Sequence, residues 1–127
     1  MMLNTHLKID KGLCGTVITL NEGYAAVELE TTPVMAADEE GLVHGGFVFG
    51  AADYAAMACV NEPNVVLAGS SCRFLAPTRV GETLLFKARC IESDGRKYQI
   101  TVNAFCGETE VFSGDFKAVV LSKHVLG

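Results

Sequence analysis

Four residues near the middle of the chain have the types and spacing that chemistry needs: His44, Gly45, Gly46 and Asp53. They fall in one stretch, Val43 to Asn61, reading V-H-G-G-F-V-F-G-A-A-D-Y-A-A-M-A-C-V-N, which is apolar or small at almost every other position. A run of that length and character predicts a helix buried on nearly every side. Its start would offer backbone N–H groups without acceptors and a positive partial charge, which suits an oxyanion forming on a carbonyl. Glycine there lets a substrate come close to the main chain. Asp53 is the one carboxylate of the run, and inside an apolar helix it is costly unless it has partners or a task. Apolar surroundings push its pKa up, while the field of a helix N-terminus would help keep it ionised. The plain alternatives are a turn that needs glycine and a structural acid satisfied across an interface. His44 fits a residue that shapes the turn better than it fits a proton shuttle.

Gly46 and Asp53 are seven residues apart, so they share a helix face. Along the axis that is roughly 10 Å, too far for one helix to bring both its N-terminus and its acid to one bond. If the two cooperate, a second copy of the helix, running antiparallel, supplies one of them. This predicts a homodimer or a dimer of dimers. Apolar residues make up 50% of the chain, which agrees with surface given over to such an interface.

The elements that must position these residues read as strands. Gly15–Leu20 and Tyr24–Thr31 flank Asn21-Glu22-Gly23, a hairpin signal. Met1 to Cys14 reads as a mobile start with Lys8 and Lys11 exposed, and Val34–Ala37 as a short helical turn before the polar loop Asp38–Gly41. Glu62-Pro63-Asn64 ends the helix. Val65–Leu75, Thr83–Glu92, Lys97–Cys106 and Val111–Leu121 follow as strands in a meander. Leu84, Phe86, Ala88 and Cys90 alternate with Lys87 and Arg89, and Tyr98, Ile100, Val102 and Ala104 with Gln99, Thr101 and Asn103. Such period-two patterns describe an antiparallel sheet with one buried face. The expected fold is α+β, one long central helix wrapped by a curled antiparallel sheet, in a single domain over residues 1–127.

Composition removes several function classes. A formal net charge of −5 opposes nucleic-acid binding, which calls for a basic footprint. No apolar run reaches the ~20 residues of a membrane span, and the start lacks the apolar block of a secretion signal, so a cytoplasmic protein off the membrane is expected. The five cysteines are odd in number and widely spaced; they read as reduced thiols, with Cys59 and Cys72 packed in the core rather than acting as nucleophiles. With His6, His44 and His124 they show no metal-ligand spacing, so no metal site is expected.

The order of elements, with His44-Gly45-Gly46 opening the helix and Asp53-Tyr54-Ala55 nine residues on, resembles the hotdog-fold acyl-CoA thioesterases, nearest the phenylacetate-pathway branch. The segment Arg73-Phe74-Leu75-Ala76-Pro77-Thr78-Arg79-Val80-Gly81-Glu82 adds to the likeness. The resemblance implies that Gly45 N–H polarises a thioester carbonyl. It also implies that Asp53 of the partner subunit acts as general base or nucleophile, and that His44 shapes the turn. It implies an acyl-CoA or acyl-carrier-protein thioester as substrate, with coenzyme A as part of the substrate and no other cofactor. The acyl chain would enter a seam lined by Phe47, Phe49, Tyr54 and Met57, beside Gly46. Related enzymes often carry asparagine six residues before the histidine, where this chain has Asp38, either a solvated loop charge or part of the site entrance. Some place a serine or threonine on the next strand to orient water; Leu67 stands there, with Ser70 and Ser71 further along. Arg73, Arg79, Arg96 and Lys97 are candidates for the coenzyme A phosphates.

A second resemblance covers Thr101–Glu108, Val111–Phe116 and Ser122-Lys123-His124, which are similar to the acyl-CoA-sensing domain of the bacterial fatty-acid repressor. It implies binding without hydrolysis. Asp53, which that domain does not match, favours the enzyme. A hotdog dehydratase is disfavoured because its histidine and acid arrangement is not evident here.

Overall fold

A computed structural model describes every residue from Met1 to Gly127. The elements are α1 (Lys11–Cys14), β1 (Thr16–Asn21), β2 (Tyr24–Glu30), a 3₁₀ turn (Pro33–Met35), α2 (Gly45–Val60), β3 (Val65–Phe74), β4 (Thr83–Asp94), β5 (Lys97–Cys106) and β6 (Thr109–Val120). The strands form one antiparallel sheet in the order β1-β2-β4-β5-β6-β3, and α2 lies across its inner face. The expected α+β hotdog architecture is what the chain adopts.

One expectation about strand order is corrected. β3 does not open a four-strand meander; it lies at the sheet edge beside β6, and β4 pairs with β2. The loop after β3 crosses under the start of α2 and is tied there. Val43 N–H donates to Thr78 O at 2.8 Å, and the buried Thr31 hydroxyl donates to Glu82 O at 2.6 Å. Those bonds set β4 down next to β2. Period-two alternation fixes which face a strand buries but carries no information on which neighbour it takes.

The core pairs small residues on the helix with large ones on the sheet. Ala51, Ala52, Ala55, Ala56 and Ala58 let α2 settle close to the strands, which supply Leu29, Phe86, Ile100, Phe112 and Phe116; all ten residues are fully buried. Complementary large and small side chains of this kind reach interior packing density without voids. The helix ends where the chain turns left-handed, at Asn61 with φ 56°, a conformation asparagine tolerates better than most residues.

Asn61 also corrects the reading of Met1 to Cys14 as mobile. Its Oδ1 accepts from Asn4 N–H at 2.7 Å and its Nδ2 donates to Met2 O at 2.9 Å. Thr5 is buried, the His6 ring stacks on Tyr54, and the Asp10 carboxylate caps α1 through Gly12 and Leu13 N–H. The segment is pinned by a polar side chain distant in sequence, which no local pattern announces. Lys8 and Lys11 are exposed, as expected.

Gly15 joins this segment to β1 at φ +93°, and a Cβ there would lie 2.6 Å from Val27 Cγ1 and 2.8 Å from Glu28 O. Gly15→Ala is expected to cost ~2 kcal/mol, from backbone strain and overpacking together, read as a lowered urea midpoint at unchanged slope.

Candidate active site

Asp53 sits half-exposed near the middle of α2, and its Oδ1 is buried with no hydrogen-bond partner. Burial pushes its carboxyl pKa up to about 6. A buried carboxylate oxygen without a partner is a rarity that calls for an explanation. Its charge also reaches α1, where Asp10 and Asp53 add to burial in holding the Cys14 thiol above its ordinary value.

The start of α2 is open. His44 is extended at φ −62° and ψ 131°, makes no side-chain cap, and the first turn holds no acid. Phe47 N–H returns to His44 O at 3.1 Å, while the Gly45 and Gly46 N–H groups donate to no acceptor in the chain. His44 N–H is used, donating to Met35 O at 2.9 Å. Its ring is exposed and lies over Gly46, where a Cβ would meet Cδ2 and Nε2 at 3.0 Å. The His44 backbone thus ties the start of the helix to Met35. Gly45 forms part of a cleft of about 310 Å³ with Leu42, Val43, Val48, Phe74 and Val111. The Phe74 ring stands over it, 3.3 Å from where a Cβ on Gly45 would be. Phe74 is 54% exposed and is the site residue that sequence reasoning passed over. Only the pairing Phe74↔Phe112 brings the end of β3 to the start of β6 beside the helix start.

Gly45 and Asp53 are separated by eight residues of helix, about 12 Å along the axis, so one chain does not bring them together. The face of α2 that the sheet leaves uncovered is the stripe Gly46, Gly50 and Asp53, where Gly46 is exposed and a Cβ on Gly50 would have nothing within 4 Å. Amide tip and acid thus lie on one open stripe.

The remaining expected residues divide by register. Ser70 pairs with Phe116 and Cys72 with Gly114, which puts both on the inner face of the sheet; Ser71 and Arg73 pair with Asp115 and Ser113 on the outer face. Leu67 faces inward opposite Ala118. The Asp38 carboxylate accepts from Glu40 N–H at 3.0 Å and Leu42 N–H at 3.2 Å, so it holds its own loop together. Phe47 and Phe49 are half-buried, Phe47 edge-on to His44 and Phe49 against Phe116. Tyr54 and Met57 were expected in a seam between protomers. That is corrected: both are 1% exposed and lie in the protomer's own core, with the His6 ring of the N-terminal segment stacked on Tyr54, a cover that the helix's own pattern does not announce. Arg79 bridges to Leu42 beside the cleft, whereas Lys97 pairs with Val119 at the opposite end of the sheet. No group of three or more metal-ligating side chains is assembled.

A family model described as the thioesterase superfamily matches residues 40–113, more than half of the chain. The chain belongs to the thioesterase superfamily. The matched span runs from the loop before α2 to the middle of β6 and includes His44, Gly45, Gly46, Asp53 and Phe74. Among solved structures, an uncharacterized protein from Pyrococcus horikoshii superposes with TM-score 0.99 at 49% identity, covering 100% of this chain and 98% of that one. The PaaI protein of the phenylacetic acid degradation operon of E. coli superposes with TM-score 0.80 at 25% identity, over 90% of this chain and 84% of that one. A Streptococcus mutans protein bound to acetyl CoA has the same fold, with TM-score 0.81 at 22% identity over 94% of this chain and 99% of that one. Two curated relatives are longer proteins. One, named methylthioribose-1-phosphate isomerase, from Aquifex aeolicus, is 50% identical over 95% of this chain and 26% of its own length. The other, transcription factor FapR of Caldanaerobacter subterraneus, is 28% identical over 88% of this chain and 56% of its own length. The chain spans about a quarter and about half of these relatives, whose names describe whole proteins.

No helix is long and apolar enough to cross a membrane.

Proposed function

We propose that this thioesterase-superfamily chain hydrolyses acyl-CoA thioesters as a dimer, with two sites formed where the open stripes of two α2 helices face each other antiparallel. The observation that carries the reading is the buried, partnerless Oδ1 of Asp53 on the same stripe as the free amides of the helix start. Gly45 N–H of one protomer binds the thioester carbonyl oxygen. Asp53 of the partner subunit takes a proton from water, whose oxygen attacks the carbonyl carbon. The C–S bond breaks, and the proton held by Asp53 passes to the departing thiolate, giving free acid and CoA. Burial lets Asp53 serve as a base, because a carboxyl at about 6 accepts a proton more readily than an ordinary one while staying ionised at neutral pH. The chain's own residues supply the chemistry without metal or redox cofactor. The apolar cleft beside Gly45, under Phe74, receives the acyl group, and Arg79 at its mouth meets the CoA phosphates.

The test is release of free CoA from a panel of acyl-CoAs. Its pH profile carries the sign: the base works ionised, so turnover should fall about tenfold per unit as pH drops below about 6 and stay level above it. A profile flat through this range would remove Asp53 as the base.

A second reading is acyl-CoA or acyl-carrier-protein binding without turnover. It is favoured by the likeness to part of FapR and by Leu67 standing at the water-orienting position. Saturable binding with no CoA released across the panel would select it.

A further inference from the structure

Far from the helix start, α2 and β4 bring two thiols together. Cys59 lies in the last turn of α2, 2% exposed, and Cys90 lies half-exposed on β4; their Sγ atoms are 3.2 Å apart and share a hydrogen bond. Neither has much room to drift. Cys59 is held by the helix that Asn61 caps, and Cys90 by its N–H donating to Gly23 O at 2.9 Å, just before the irregularity between Cys90 and Glu92. Both line one open cleft of about 680 Å³, formed with Asn21, Asn61, Glu92 and Tyr98. It gives a small polar reagent a path to the pair. The other free cysteines, Cys14, Cys72 and Cys106, have no thiol beside them.

We infer that Cys59 and Cys90 are a reversible thiol-oxidation site, closed to a disulfide by hydrogen peroxide or an organic hydroperoxide. To bond, the sulfurs must approach by about 1.2 Å, from 3.2 Å to the ~2.05 Å of a disulfide. That is within reach of side-chain rotation. The hydrogen bond from Cys59 lowers the pKa of Cys90 and raises that of Cys59, so the more accessible sulfur is the attacking thiolate. Cys90 sulfur attacks the peroxide oxygen, the O–O bond breaks, and water (or an alcohol) leaves with the proton, giving a sulfenic acid. Cys59 sulfur then displaces that hydroxyl, its own proton leaving with it as a second water. Two electrons pass from the two thiols to one peroxide. The product staples the last turn of α2 to β4, and Asp53 lies six residues earlier on the same helix.

The experiment is peroxide treatment of the folded protein, read by thiol titration after denaturation, intact mass, peptide mapping and melting temperature. Titratable thiols should fall from five to three, the mass should fall by two hydrogens, and one linked peptide pair should join Cys59 to Cys90. The melting temperature should rise by roughly 5–15 °C, as closing a loop of that length constrains the unfolded chain, and a dithiol reductant should reverse all four changes. Cys90→Ser, at the more exposed position, should keep all its thiols under the same treatment; Cys59→Ser, where it folds, should form no linked pair and stop at the sulfenic acid of Cys90. With both cysteines present, oxygen added to sulfur without the link, or a link between other cysteines, would overturn the inference.

Discussion

Asp53→Asn should lower CoA release by roughly 10²–10⁴-fold while leaving the affinity for a non-hydrolysable acyl-CoA analogue within a few-fold of the starting protein. Asparagine keeps the shape and can still hydrogen-bond, but it cannot take a proton from water. The acid limb of the pH profile should vanish with it. Stability should move the other way. The folded-state pKa of Asp53 is raised from 3.8 to about 6 by burial. Its contribution to stability is therefore fully present below the unfolded pKa and is lost as pH rises through about 6, where the carboxylate ionises without a partner. Removing the charge should make the protein melt higher at neutral pH, and the gain should shrink toward pH 4. If turnover survives the substitution at its original rate, the acid is structural and the proposed chemistry is wrong.

Gly50→Leu is the second substitution with a large expected effect, and it separates assembly from folding. Nothing in the protomer lies within 4 Å of a Cβ at Gly50, so the added side chain starts into open space on the uncovered face of the helix. Replacing an interior helix glycine with leucine also favours the helix by up to ~1 kcal/mol. A partner helix seated on the stripe would be pushed away. Displacing reacting groups by an ångström is enough to cost about 10²-fold, so turnover should fall at least that far. The expected result is a smaller species by light scattering, with far-ultraviolet dichroism unchanged. A variant that keeps both its mass and its activity would place the interface elsewhere and leave Gly45 without an acid to work with.

Much of this protein was legible in its residues. Alternation in Leu84–Cys90 and Tyr98–Ala104 told which faces are buried, because a strand's side chains have no choice but to alternate. The apolar run from Val43 to Asn61 told that the helix is central, and the lone Asp53 within it marked the place where burial and charge conflict. What only the tertiary structure decided are questions of neighbourhood. Tyr54 and Met57 are covered within the protomer while Gly50 and Asp53 stay on the open stripe, a distinction hidden by a helix that is apolar all round. β3 goes to the edge beside β6 because loop hydrogen bonds at Val43 and Thr31 carry the chain across the sheet. Phe74 reaches Gly45, Asn61 pins Met2 and Asn4, and Cys59 meets Cys90, each through contacts between residues far apart in sequence. Local periodicity reports what a segment must bury; the partner it is buried against is set by long-range packing and hydrogen bonding.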